Sequence, residues 1–205
     1  MEGQDYLNQI SMQNRPVKKT GMSKILSSKI FIVSMIGVVL LILIIIVGSI
    51  LSGGKKGDKN LSYALKAHLD NTEEVIQTYQ PSVKSSDLRS SSASLYSVLS
   101  NTNRELTDYV TEKYDFKEKD LPEATVSDAQ LARDDLEADL FNAKISGTLD
   151  RTYALKMAYE ISLIMSEEAE IINSTSNADL GELLTTSYNS LKNLYSKFDD
   201  FSEAN

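Results

Sequence analysis

Hydrophobic residues recur at helical spacing along most of this 205-residue chain. Apolar positions separated by three and four residues share one face of a helix, whereas a half-buried strand alternates at every second residue. The sequence contains no useful run of period-2 alternation and no Asn-Gly or Asp-Gly hairpin signal. The pattern therefore predicts an all-α chain, with breaks at Pro81, at residues 114–125, at Gly147 and at residues 174–177.

Five amphipathic segments are predicted between residues 61 and 201. The last is the clearest, because its apolar residues from Leu180 to Phe201 lie within an arc of about 140°. Long segments joined by short breaks pack as antiparallel neighbours, which predicts an up-and-down bundle of four or five helices. The other segments begin at Leu61, at the potential N-cap cluster Ser85–Asp87, at the capping-box sequence Ser127–Gln130 and at Thr148.

One apolar stretch near the N-terminus has no polar face. Residues 30–51 read IFIVSMIGVVLLILIIIVGSIL and carry no charge. A helix of this length covers roughly 33 Å, enough to cross a hydrocarbon core of about 30 Å. We predict a single transmembrane helix from Ile30 to Leu51, with Phe31, Leu40 and Ile45 in the lipid. A cleaved signal peptide is the competing interpretation, but its apolar region is shorter and is followed by a small-residue cleavage site, so we favour an uncleaved signal anchor.

The segments on either side of this span are polar. Residues 1–29 lack a hydrophobic period and are expected to form a disordered cytoplasmic tail. Residues 52–60 read SGGKKGDKN, a composition typical of a flexible linker. Five basic residues precede the span and four follow it within about fifteen residues, a small excess that favours a cytoplasmic N-terminus. The expected location is therefore the cell membrane, with a single pass and an extracytoplasmic bundle at residues 61–201.

Charge is distributed unevenly between the two parts of the chain. Residues 1–59 contain eight basic and three acidic residues, whereas residues 60–205 contain thirteen basic and twenty-six acidic residues. Nucleic acids and anionic lipid headgroups require Lys or Arg at the surface that binds them. The acidic part is therefore not expected to bind nucleic acid.

The composition offers little material for chemistry. The chain has no Cys and one His, which excludes disulfides, thiolate zinc sites and cysteine nucleophiles, and leaves too few imidazoles for most transition-metal sites. No phosphate-binding loop, nucleophile elbow or calcium-binding loop is present. We expect no cofactor, no metal and no enzymatic activity. The clustered acidic residues are expected to face solvent: Asp134, Asp135, Glu137 and Asp139, and likewise Glu167, Glu168 and Glu170.

His68 lies inside the apolar arc of the first predicted bundle helix, between Leu65 and Leu69. The ordinary interpretation is a partly buried packing residue with one hydrogen bond. The alternative is a pH-sensitive residue, since burial and a carboxylate partner can move the pKa of a histidine across neutrality.

A second apolar stripe, Leu155, Tyr159 and Leu163, accompanies the main face of the fifth predicted segment at a spacing of four residues. It is interpreted either as core of a five-helix bundle or as a surface for a protein partner or a second copy. The fourth segment also has two stripes, one with Leu131 and Phe141 and the other with Leu136 and Leu140, and is expected to make contacts on both flanks.

These observations favour a membrane-anchored, non-enzymatic helical bundle that acts as an interaction or assembly module of the cell envelope. Its expected partners are the lipid bilayer and either another protein or a second copy of the chain. The alternative is a single-pass, sensor-like bundle that binds a small apolar or peptide ligand between its helices.

Overall fold

The structure, a computed structural model, describes residues 56–117, 121 and 123–204. Within these residues it contains five α-helices and no strand, which confirms the predicted all-α bundle. A short 3₁₀ turn at Gln80–Ser82 follows the first helix. The helices are α1 (Lys56–Tyr79), α2 (Ser86–Tyr114), α3 (Glu123–Ser146), α4 (Leu149–Ser174) and α5 (Ala178–Ala204).

The helix ends follow from local sequence chemistry. Helix α1 ends at Tyr79, just before Pro81, whose ring and missing N–H disfavour continuation of a helix. Helix α2 is capped by Ser85, whose hydroxyl accepts a hydrogen bond of 3.3 Å from the backbone N–H of Leu88. Gly147 ends α3 with a φ of 77°, the left-handed conformation that glycine adopts without steric strain.

Two helix starts differ from the predicted ones. Helix α3 begins at Glu123, so Ser127 lies inside the helix and the predicted capping box does not open it. Pro122 directly precedes this start in the sequence, and proline is favoured near the first turn because its φ is already helical. Helix α1 begins at Lys56, inside the stretch predicted as linker.

Four of the helices form a closed ring. Contacts join α1 to α2, α2 to α5, α5 to α4 and α4 back to α1. Consecutive helices are antiparallel because their connections are short, so every neighbouring pair in this ring is antiparallel. Helix α3 lies outside the ring, where it packs against α1 and α4. It therefore carries the chain from the end of α2 back to the start of α4.

The core lies inside the ring and beneath α3. Its largest fully buried side chains include Tyr63, Tyr153 and Phe198, surrounded by Leu, Ile and Val from all five helices. One pair of buried hydroxyls joins two helices: the hydroxyls of Ser92 and Tyr153 share a hydrogen bond, which satisfies two groups that would be costly to bury alone.

The connection between α1 and α2 is fixed to the start of α4. The carboxylate of Asp150 accepts hydrogen bonds of 2.9 and 2.8 Å from the backbone N–H groups of Lys84 and Ser85. A carboxylate that accepts from backbone N–H groups makes stronger hydrogen bonds than a neutral acceptor. The contact holds one end of the bundle together.

The predicted membrane span at residues 30–51 and the predicted tail at residues 1–29 lie outside the described residues. No helix within the described part of the chain is long and apolar enough to cross a membrane. The span remains a prediction from the sequence.

Candidate functional site

The largest exposed apolar side chains of the described residues are concentrated on α3. Leu131, Phe141 and Ile145 are exposed by 61%, 55% and 71%. With the exposed Ala138 they lie within an arc of about 80° when residues are spaced by 100° around the helix. We call these four residues the outer stripe.

The opposite side of α3 faces the bundle. Leu136, Leu140 and Ala143 are buried and join the core, about half a turn of the helix away from the outer stripe. The two apolar stripes of this segment had predicted contacts on both flanks. The structure shows contacts on one flank only, since the other is exposed.

Polar side chains fix the rotation of α3 against its neighbours. The phenol hydroxyl of Tyr79 donates to the backbone carbonyl of Glu137 at 2.9 Å. The amide of Asn71 donates to the backbone carbonyl of Ala129 at the same distance. Because these two hydrogen bonds hold α3, the helix cannot rotate its outer stripe towards the core without breaking both of them. Ion pairs join α3 to α1 and α4 as well, namely Arg133 with Glu74 and Lys156 with Asp139.

The three side chains of the stripe predicted on α4 differ in how far they are exposed to solvent. Leu155 is exposed by 45%, while Tyr159 and Leu163 are partly buried. Because the neighbouring Lys156 pairs with Asp139, Leu155 lies at the level of the C-terminal half of α3. The assignment of these three residues to an interaction surface stays a prediction.

His68 is held between two carboxylates of α4. Its Nε2 lies 2.9 Å from Glu160 Oε2 and its Nδ1 lies 3.0 Å from Glu167 Oε1. A neutral imidazole donates through one nitrogen only, so two carboxylate acceptors favour the doubly protonated ring. One hydrogen bond was expected at His68, and its two partners could not be located from the sequence because they lie 92 and 99 residues further along the chain.

The electrostatic balance at His68 favours its charged form. Burial lowers the pKa, but the charge of Glu167 and the hydrogen bonds with both carboxylates outweigh burial and raise the pKa of His68 to about 10. At neutral pH the charged ring therefore joins α1 to α4 through both carboxylates. The assignment of His68 as a pH-sensitive residue stays a prediction.

Glu168 is a fully buried carboxyl group. Neither of its carboxylate oxygens has a hydrogen-bond partner among the described residues. Burial raises the pKa of Glu168 to about 8, and the negative charge of Glu167 adds to this, while the nearby Ser187 hydroxyl opposes it. At pH 7 the folded protein therefore holds this side chain mainly in its neutral form.

The expectation that Glu168 faces solvent was wrong. It follows Ile161 and Ile164 and precedes Ile171 at helical spacing, and all three isoleucines are fully buried. That spacing was the available signal, but a run of acidic residues usually marks a solvated face. Of its acidic neighbours, Glu167 and Glu170 are partly buried.

The described residues contain no group of three or more acidic or histidine side chains that could hold a metal ion. No protein-family model, curated protein or solved structure matches the chain. The outer stripe is consequently the feature of the described residues from which a function can best be argued.

Proposed function

We propose that this protein is a membrane-anchored, non-enzymatic helical bundle that binds a protein partner in the cell envelope through the outer stripe of α3. One observation carries the proposal: three large apolar side chains at helical spacing are more than half exposed, although the same helix buries its opposite face. Contiguous exposed apolar residues are uncommon on soluble surfaces and mark interaction sites. Leu155 of the neighbouring helix α4 is a further exposed apolar side chain, with 45% of its surface accessible.

The anchor rests on the apolar segment from Ile30 to Leu51. The proposed topology places the N-terminus in the cytoplasm and the bundle outside it. Since the chain contains no Cys, single cysteines can be introduced without background. Asn14→Cys in the predicted tail and Glu112→Cys on the exposed surface of α2 form a matched pair.

A membrane-impermeant thiol reagent applied to intact cells tests this topology. We expect labelling of Glu112→Cys in intact cells and of Asn14→Cys only after the membrane is opened. The reverse pattern would overturn the proposed orientation. Release of the chain by alkaline carbonate would show that the apolar segment is not an anchor.

Site-specific photo-crosslinking tests the interaction surface in the full chain. A photoreactive amino acid at Phe141 should yield a discrete protein adduct in living cells, whereas the same amino acid at the exposed position Glu112 should not. Phe141→Ser combined with Ile145→Ser should remove an adduct formed from Leu131 without lowering the helix content. Equal adducts from both faces would indicate non-specific contact and contradict the proposal.

The sensor-like alternative receives less support from the described residues. A groove of about 450 Å³ lies between α2 and α5, but most of its lining is polar, including Asn101, Thr186 and Glu182. A second groove, of about 320 Å³ between α4 and α5, is more apolar and includes Tyr188 and Tyr195, but it is open to solvent. Small-molecule sites are usually concave and enclose most of the ligand within an apolar and aromatic lining. We therefore make the interaction module the primary proposal.

A further inference from the structure

One charged residue lies among the residues of the outer stripe. Asp134 lies between Leu131 and Ala138 and falls within the same arc of α3. Its side chain is exposed, and its carboxylate accepts a hydrogen bond of 2.8 Å from the amide of Gln130. A helix that covers the stripe must therefore place a group against this carboxylate.

The edge of the stripe is acidic as well. Asp128 and Asp135 are exposed on one side, and neither forms an ion pair within the described residues. Of the two basic residues of α3, Arg133 is already engaged by Glu74 and Glu137, and Lys144 lies near the other end of the helix, nine residues from Asp135. Unpaired acids beside an apolar seam favour a partner that supplies positive charge.

The same charges argue against two other occupants. In a parallel pair of copies, the arrangement that anchors in one membrane favour, the two Asp134 carboxylates would face each other at equivalent positions of the seam. Residues 60–205 also contain twenty-six acidic against thirteen basic residues, so two copies repel. An anionic lipid surface would be repelled for the same reason.

The apolar positions further define the shape of the occupant. Residues 131, 138, 141 and 145 are separated by seven, three and four residues, the spacing by which one helix packs along another. At 1.5 Å per residue the stripe is about 21 Å long, or about four helical turns. An extended peptide or a single inserted side chain would cover only part of it.

We propose that the outer stripe binds an amphipathic helix of another protein, and that this helix presents Lys or Arg to Asp134 and Asp135. The inference rests on the proposed function and specifies the partner's chemistry. Apolar contacts with Phe141 and Ile145 supply most of the affinity, whereas the two carboxylates select a basic helix and set its register.

Two synthetic helices test the proposal on the full chain, reconstituted in nanodiscs of zwitterionic lipid. Both are about 21 residues long and share the same Leu/Ile seam. One carries Lys and the other Glu at the positions opposite Asp134 and Asp135. Fluorescence anisotropy measures binding of each peptide, with empty nanodiscs as the blank.

We expect the Lys peptide to bind about tenfold more tightly than the Glu peptide, because two favourable charge pairs replace two unfavourable ones. Asp134→Asn combined with Asp135→Asn should reduce this preference to about threefold or less. The matched control, Asp108→Asn combined with Glu112→Gln, neutralises two exposed carboxylates on α2 and should leave the preference unchanged. Added salt should weaken the preference.

The possible failures are distinguishable. Equal binding of both peptides, lost in the Phe141→Ser and Ile145→Ser variant, would overturn the charge selection and leave the interaction surface intact. A crosslink from Phe141 to a second copy of the chain would make self-association the function of this surface and refute the basic helix. Absence of peptide binding together with absence of any adduct from Phe141 would reject both proposals.

Discussion

Replacing Glu168 with Gln should stabilise the bundle and make its stability less dependent on pH. The carboxyl is fully buried, and its pKa is raised from 4.5 to about 8. The unfolded chain therefore releases a proton above pH 4.5 that the folded chain keeps until about pH 8. Stability falls as pH rises through this window, because the unfolded state is the one that gains from ionisation.

The magnitude follows from the width of that window. At about 1.4 kcal/mol per pH unit, ionisation in the unfolded state alone costs the native state about 3 kcal/mol at pH 7. Glutamine has nearly the same shape and does not ionise, but its buried amide must find acceptors. We expect a net gain of about 1–3 kcal/mol at pH 7 and of less than about 1 kcal/mol at pH 5.

Urea unfolding followed by circular dichroism at several pH values measures this effect. Each kcal/mol should also raise Tm by about 2–4 °C for a domain of this size. Other titrating groups cancel because the comparison is between two proteins that differ at one site. Glu112→Gln, on the exposed surface of α2, is the control and should change neither stability nor its pH dependence. If the free energies of unfolding of Glu168→Gln and the parent fall in parallel between pH 5 and pH 8, the conclusion that the buried carboxyl of Glu168 is neutral is refuted.

Three further changes probe other parts of the fold. His68→Gln should destabilise it by about 2–4 kcal/mol at pH 7; because the pKa of His68 is raised from 6.5 to about 10, urea midpoints of parent and variant should differ most below pH 6.5 and converge as pH rises through 10. Gly147→Ala should lower stability by about 1 kcal/mol, measured by thermal unfolding, since φ is 77° there although space for a methyl group exists. Ser85→Ala removes the cap of α2 and should lower stability by about 1 kcal/mol, whereas Ser196→Ala on the exposed face of α5 should have little effect.

The fold was predictable because helix-forming information is local. The breaks at Pro81 and Gly147 and the cap at Ser85 act within a few residues, and the structure places helix ends at each of them. The apolar face predicted from Leu180 to Phe201 likewise supplies core residues, among them Leu184, Leu191 and Phe198. Two helix starts were exceptions: the capping-box pattern at Ser127 did not mark the start of α3, and α1 begins at Lys56, inside the stretch predicted as linker.

The candidate site was less predictable because it depends on which helices become neighbours. Both stripes of α3 are apolar, and periodicity alone cannot tell which one a neighbouring helix will cover. The contacts between helices decide which stripe is buried. Helices α1 and α4 pack on the side of α3 that carries Leu136 and Leu140, and Phe141 on the other side stays exposed. The pairing of His68 with Glu160 depends in the same way on the contact between α1 and α4.

Because α3 lies outside the ring, its outward residues can form a binding face while the residues inside the ring form the core. In one helical domain these two requirements usually compete. Residues inside the ring must fit one another, and a change in one requires compensation in others. The outward residues of α3 touch no such neighbours, so they can be exchanged with little effect on the interior. The same bundle can thus present different binding faces. Replacing the outward-facing residues of α3 would change the partner that the protein binds, while the other four helices keep their sequence.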